Sequence, residues 1–100
     1  MIHHIVMWKL KDFAEGKSKA ENAIILKEKL EGLKKDIPEI VEIRVGINIE
    51  SEYSNFDAVL HSYFDSFETL DKYQNHPTHN VVAEWIGKIR DLRYCVDYEF

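Results

Sequence analysis

Two segments of this chain are apolar on both faces, and nothing else in the sequence restricts the fold as much. Ile2–Lys11 places Ile2, His4, Val6, Trp8 and Leu10 on one side and His3, Ile5 and Met7 on the other. Phe56–Phe64 sets Phe56, Ala58, Leu60 and Phe64 against Val59, His61 and Tyr63. Strands of this kind suit the middle of a sheet, covered on both sides. Two other segments alternate more cleanly. Glu39–Ile49 sets Val41, Ile43, Val45, Ile47 and Ile49 against Glu42, Arg44 and Asn48, and the last segment sets Leu92, Tyr94, Val96, Tyr98 and Phe100 against Arg93, Asp97 and Glu99. These read as half-exposed outer strands.

Between the strands the spacing changes to three and four. Ser18-Lys19-Ala20-Glu21 fits a capping box, in which the serine hydroxyl and the glutamate carboxylate satisfy unpaired N–H groups reciprocally. Behind it Ala23, Leu26, Leu30, Leu33 and Ile37 form one apolar stripe, and Pro38 ends the helix because it pushes its predecessor out of the helical region. Asp12–Lys17, with Gly16, is expected to be a simple connection, and Glu50–Asn55 a polar loop. Asp65-Ser66-Phe67-Glu68 starts a short helix with Phe67, Leu70 and Tyr73 or Gln74 facing inward. It stops at His76-Pro77, where a second helical pattern begins with Val81, Val82, Trp85 and Ile89.

The order is therefore β-α-β-β-α-β, an α+β chain. Right-handed crossovers and a hairpin between the second and third strands give a ferredoxin-like antiparallel sheet of strand order 4-1-3-2. Its central strands are the two that are apolar on both faces, as the topology demands. Helices cover one side only. Trp8, Phe64, Tyr94 and Tyr98 are expected on the other, and an apolar face of that size predicts a homodimer packed sheet to sheet.

A net charge of -5 over 100 residues argues against nucleic acid or an anionic membrane as partner. No segment has the length of a membrane span or the form of a secretory leader, so a cytoplasmic protein is expected. The single cysteine, Cys95, excludes an internal disulfide and is expected to be a small buried hydrophobe. The four glycines are isolated, so no phosphate-binding loop is present, and no cofactor is implied. His76 and His79 have helical spacing, but no carboxylate stands at a companion position, so no metal site is expected.

Chemistry concentrates at Tyr73-Gln74-Asn75-His76-Pro77-Thr78-His79, a phenol and two imidazoles around one bend. His79 can act as a general base, with Tyr73 polarising a carbonyl or stabilising an enolate. The competing reading is that both histidines bond the backbone at the helix joint and Tyr73 is a core residue. His4, Val6, Leu30, Val82 and Ile86 are the candidate walls of a cavity between helices and sheet.

The run His4-Ile5-Val6-Met7-Trp8-Lys9-Leu10-Lys11, the Ile37-Pro38 break, Phe64-Asp65-Ser66, Tyr73 through His79 and Val96-Asp97-Tyr98 together resemble the stress-responsive A/B barrel domain (Dabb) family, over essentially residues 1–100. The resemblance implies a dimeric α/β barrel. One branch, the plant polyketide cyclases, uses a tyrosine and a histidine for an aldol closure, and Tyr73 and His79 match that pair. His4 matches its first-strand pocket histidine. Its third-strand histidine falls at Ala58, while Trp8 and Arg90 stand where it has leucine and tryptophan. The reading is a homodimer that binds a small, partly apolar molecule and carries out cofactor-free acid/base chemistry beside a carbonyl. The rivals are a non-enzymatic stress-associated oligomer and a cofactor-independent monooxygenase.

Overall fold

The computed structural model describes residues 1–49 and 53–100, so Glu50–Glu52 of the expected loop lie outside the described residues. β1 (Ile2–Leu10) is followed by two short strands, β2 (Phe13–Ala14) and β3 (Lys17–Ser18), and by α1 (Lys19–Glu31), which tightens into a 3-10 turn over Gly32–Lys35. Then come β4 (Glu42–Ile47), β5 (Ala58–Phe64), α2 (Phe67–Gln74), α3 (Pro77–Ile89) and β6 (Arg90–Glu99). The main sheet runs β4-β5-β1-β6, all antiparallel, which is the expected 4-1-3-2 order of the long strands read from the opposite edge.

The expected helix starts are present. Ser18 and Glu21 close the first capping box. Ser66 caps α2, but Thr69 closes its box rather than an acidic residue. The α1 stripe is buried as its spacing requires, from Ala23 through Leu26, Leu30 and Leu33 to Ile37.

Several expectations are corrected. Asp12–Lys17 is not a plain connection: Phe13 pairs with Ser18 and Ala14 with Lys17. Glu15 and Gly16, at φ 52° and 74°, form the positive-φ turn between them, matching the twist of a two-residue hairpin. Asn22 on α1 is buried and donates to the Ala14 carbonyl at 3.0 Å, holding the hairpin down. β4 stops short of Ile49, which is 83% exposed, and β5 begins at Ala58 rather than Phe56. Phe67 and Val81 point outward, while Leu70, Tyr73, Val82, Ile86 and Ile89 turn in.

The largest correction concerns the sheet faces. Trp8 and Phe64 lie on the helix side, buried with Ile2, Val6, Leu10, Ala58 and Leu60 in the core. The open side carries His3, Ile5, Met7, Val59, His61 and Tyr63 together with Leu92, Tyr94, Val96 and Tyr98 of β6, as the register requires. There His3 stacks on Tyr98 with ring centroids 5.0 Å apart, and Tyr63 packs 4.3 Å from His3. β6 is an edge strand beyond the cover of the helices, so Cys95 is exposed rather than buried. Among the described residues no helix is long and apolar enough to cross a membrane.

At the other edge, α1 guards β4. The Glu31 carboxylate accepts from the Val45 N–H at 2.9 Å and from Lys27 Nζ at 2.8 Å, and Lys27 also donates to the Val45 carbonyl at 2.6 Å. Side chains thus occupy backbone groups that an edge strand otherwise offers to another chain.

Candidate functional site

The helices do not close fully onto the sheet. They leave a cavity of about 270 Å³, floored by His4, Val6, Trp8 and Leu60 of the sheet and walled by Leu30 of α1. Tyr73 of α2, His79, Ala83 and Ile86 of α3, and Arg90 and Arg93 of β6 complete it. Tyr73, His79, His4, Val6, Leu30 and Ile86 were all expected at such a site and are brought together, and Trp8, placed at a pocket position only by the family resemblance, joins them. Val82 is not on the cavity: it is buried in the core, and Ala83 lines the wall one position on. Trp8, on the cavity floor, pairs across β1 and β5 with the small, buried Ala58.

The proline corner explains how Tyr73 and His79 meet. α2 ends at Gln74, and His76 takes the extended conformation, φ -68° and ψ 135°, that a residue before proline favours. His76 is thereby consumed structurally as the cap of α3, its Nδ1 accepting from the Thr78 N–H at 3.1 Å. Tyr73, three residues after buried Leu70, faces inward on the last turn of α2. His79, in the first turn of α3, comes back against it, with ring centroids 4.5 Å apart and planes 56° from parallel.

Three polar atoms on this cavity are buried without a hydrogen-bond partner: Tyr73 Oη, His79 Nδ1 and Trp8 Nε1. Buried polar atoms are bonded in about nine cases in ten, so three unpartnered ones among the residues lining one cavity mark it as the candidate site. The other such atoms lie elsewhere, on His3 and His61 of the open face and on Asn22.

Burial holds the Tyr73 phenol well above its ordinary range, against the opposing pull of the Arg93 charge, so the group stays protonated and able to donate. Burial also pushes the His79 imidazole down, and the nearby Arg93 charge adds to it. The result is a neutral imidazole beside a neutral phenol.

Asp97 supplies a part of the site to which the sequence reading gave no role. His4 is 2% exposed, and its Nδ1 lies 2.5 Å from Asp97 Oδ1, across the β1–β6 register that pairs the two residues. The carboxylate fixes the ring, whose centroid is 6.1 Å from that of Tyr73. Arg93 was missed for the same reason as Asp97. Charged residues alternating with aromatics on a strand suggest a solvent face, whereas on β6 the charged face is the one turned towards the helices. Tyr94 and Tyr98 were already expected on the association surface, and the alternation of β6 then places Arg93 and Asp97 on the helix side, a consequence the sequence reading did not draw.

His4, Cys95 and Asp97 each offer one potential metal-ligand atom, and these lie within 4.8 Å of one another. His4 Nδ1 is engaged by Asp97, while burial and the Asp97 charge raise the Cys95 thiol, which keeps its proton. The trio is a hydrogen-bonded group in this state.

The sequence profile of the Stress responsive A/B Barrel Domain, Dabb, matches residues 2–100. A dimeric protein of unknown function and ferredoxin-like fold from Bacteroides fragilis NCTC 9343 superimposes with a TM-score of 0.82 at 31% identity, covering 99% of this chain and 95% of that one. A hydroxynitrile lyase from Passiflora edulis gives a TM-score of 0.74 at 17% identity, covering 97% and 90%. An antibiotic biosynthesis monooxygenase gives 0.73 at 13%, covering 100% and 98%. The last two share the fold alone. No curated protein matches the chain by sequence.

Proposed function

Because the chain belongs to the stress-responsive A/B barrel domain family, we propose that it binds a small, partly apolar carbonyl compound in the helix–sheet cavity and moves a proton next to that carbonyl. The observation that carries this reading is the pairing of Tyr73 and His79, rings 4.5 Å apart, with Oη and Nδ1 both buried and unpartnered. The neutral His79 imidazole accepts a proton from the carbon beside the carbonyl; the C–H bond breaks, an N–H bond forms, and the electron pair moves onto the carbonyl oxygen. The Tyr73 hydroxyl donates a hydrogen bond to that developing enolate, and the Trp8 N–H stands on the same cavity as a second donor. Return of the proton from His79 to another carbon of a delocalised enolate completes an isomerisation; attack of the enolate carbon on a second carbonyl of the same molecule, with the His79 proton passing to the new alkoxide, would complete a cyclisation. His4, oriented by Asp97, positions the ligand from the sheet floor.

Deuterium uptake at the carbon between the carbonyls of benzoylacetone, followed by NMR in D2O, tests the reading. Wild-type protein should accelerate exchange, and Tyr73→Phe and His79→Ala should each lose most of that acceleration while keeping the folded spectrum. Equal exchange in all three proteins removes the assigned roles.

The protein also works as a homodimer in this proposal, paired through the open sheet face. Leu92, Tyr94 and Val96 leave that face uncovered, at 44%, 59% and 54% exposure, and the Bacteroides fragilis relative is described as dimeric. A light-scattering mass of two chains at micromolar concentration is expected; a mass of one chain rejects it.

A further inference from the structure

The cavity has a charged side that proton transfer does not require. Arg90 and Arg93 both line it, three positions apart on one strand. A regular strand would send residues three apart to opposite faces. Here the β1–β6 register shifts between Lys9 and Leu10: Lys9 pairs with Leu92, whereas Leu10 pairs with Arg90. Asp91 is the extra residue of a bulge, and the bulge turns Arg90 onto the same helix-facing side as Arg93, which pairs with inward Trp8. Bulges are a recurrent way of re-aiming a side chain beside a site.

Neither guanidinium is within ion-pair distance of a carboxylate among the described residues. That is notable in a chain with 18 acidic and 13 basic residues. Asp97, four positions along β6 from Arg93 and on the same side, is engaged by His4. The Arg93 charge is felt at Tyr73 and at His79. The rest of the cavity lining is apolar wall with Trp8, Tyr73, His79 and His4, and no carboxylate is among it.

We propose that Arg90 and Arg93 form an oxyanion-binding subsite, so that the ligand is a small acid, a carboxylate or a phosphate monoester, with an apolar body. The planar guanidinium fork suits both head groups. The volume sets the size of the rest: a cavity of about 150 Å³ holds one benzene ring, so 270 Å³ holds one ring with a short side chain. The inference rests on this cavity being the site, but it does not depend on the catalytic roles of Tyr73 and His79.

Calorimetric titration of the full chain with phenylpyruvate, phenyl phosphate and, as neutral control, methyl phenylpyruvate tests it. At least one anion should bind about tenfold or more tightly than the ester, since hydrogen bonds to charged groups are worth that much. Which anion does so identifies the head group. The preference should fall to about twofold or less in Arg90→Gln/Arg93→Gln and fall less in Arg93→Lys, which keeps the charge but loses the fork. Equal binding of ester and anions, no binding of any probe at millimolar concentration, or an undiminished preference in the double variant overturns the subsite. Lost anion preference with intact deuterium exchange rejects the subsite alone; the reverse result rejects the chemistry alone.

Discussion

Replacing Tyr73 by phenylalanine separates a functional hydroxyl from a structural one, because the two cases differ in sign. The Tyr73 ring is fully buried and packs on Phe64 at 4.9 Å and on His79 at 4.5 Å between centroids. Phenylalanine keeps all of that packing and removes only Oη, which has no hydrogen-bond partner. A hydroxyl holding a native bond contributes about 1 kcal/mol, whereas one buried without a partner costs about 1–3 kcal/mol. Water in the cavity would recover part of that cost. Tyr73→Phe should therefore leave stability unchanged or raise it by about 1 kcal/mol, a gain in Tm of up to about 4–8 °C for a chain this short. Tyr73→Ala, which empties the ring's space, should lose about 3–5 kcal/mol. Thermal melts by circular dichroism at one fixed protein concentration measure both, the concentration mattering because dimer stability depends on it. A drop of about 1 kcal/mol or more for Tyr73→Phe would show that the hydroxyl is bonded within the fold and not free for a substrate. The exchange assay on the same variant completes the test, since the reasoning requires lost exchange without lost stability.

If His79 is the base, the acid limb of the kcat/KM profile should fall below pH 6.5, the ordinary histidine value, because burial favours its neutral form. The unfolded chain then binds more protons than the folded one between the two values, so His79 costs stability as pH falls below about 6.5, and His79→Gln should flatten that part of a Tm–pH curve. Glu31→Ala strips the Val45 N–H of its partner and should cost about 1 kcal/mol in urea melts at pH 7. Burial raises the Glu31 carboxyl, but the bonds from Lys27 and Val45 leave it net lowered, so its contribution is present above the ordinary carboxylate range and the difference from Glu31→Ala should shrink as pH falls through the lowered value. Val96→Lys places a charge on the open sheet face at an exposed position, and should convert a two-chain light-scattering mass to one chain while the far-UV spectrum is retained.

The sequence alone determined the parts governed by local periodicity and backbone chemistry. Two strands apolar on both faces had to be central, Ser18 and Ser66 had to start helices, and Pro77 had to break one, because these follow from side-chain spacing, caps and a missing N–H. The meeting of Tyr73 with His79 was legible too, since both are tied to the same corner. Which face of the central strands met the helices was not legible, although Tyr94 and Tyr98 of β6 lie on the open side as expected. Where both faces of β1 are apolar, alternation cannot say whether Trp8 or Met7 turns inward, and that depends on how the whole sheet packs. Arg93 and Asp97 became site residues only because the uncovered aromatic face of β6 points outward, and Arg90 joined them only through the bulge at Asp91. Register between strands 90 residues apart is a property of the assembled sheet, set by hydrogen bonds and burial that no local stretch contains.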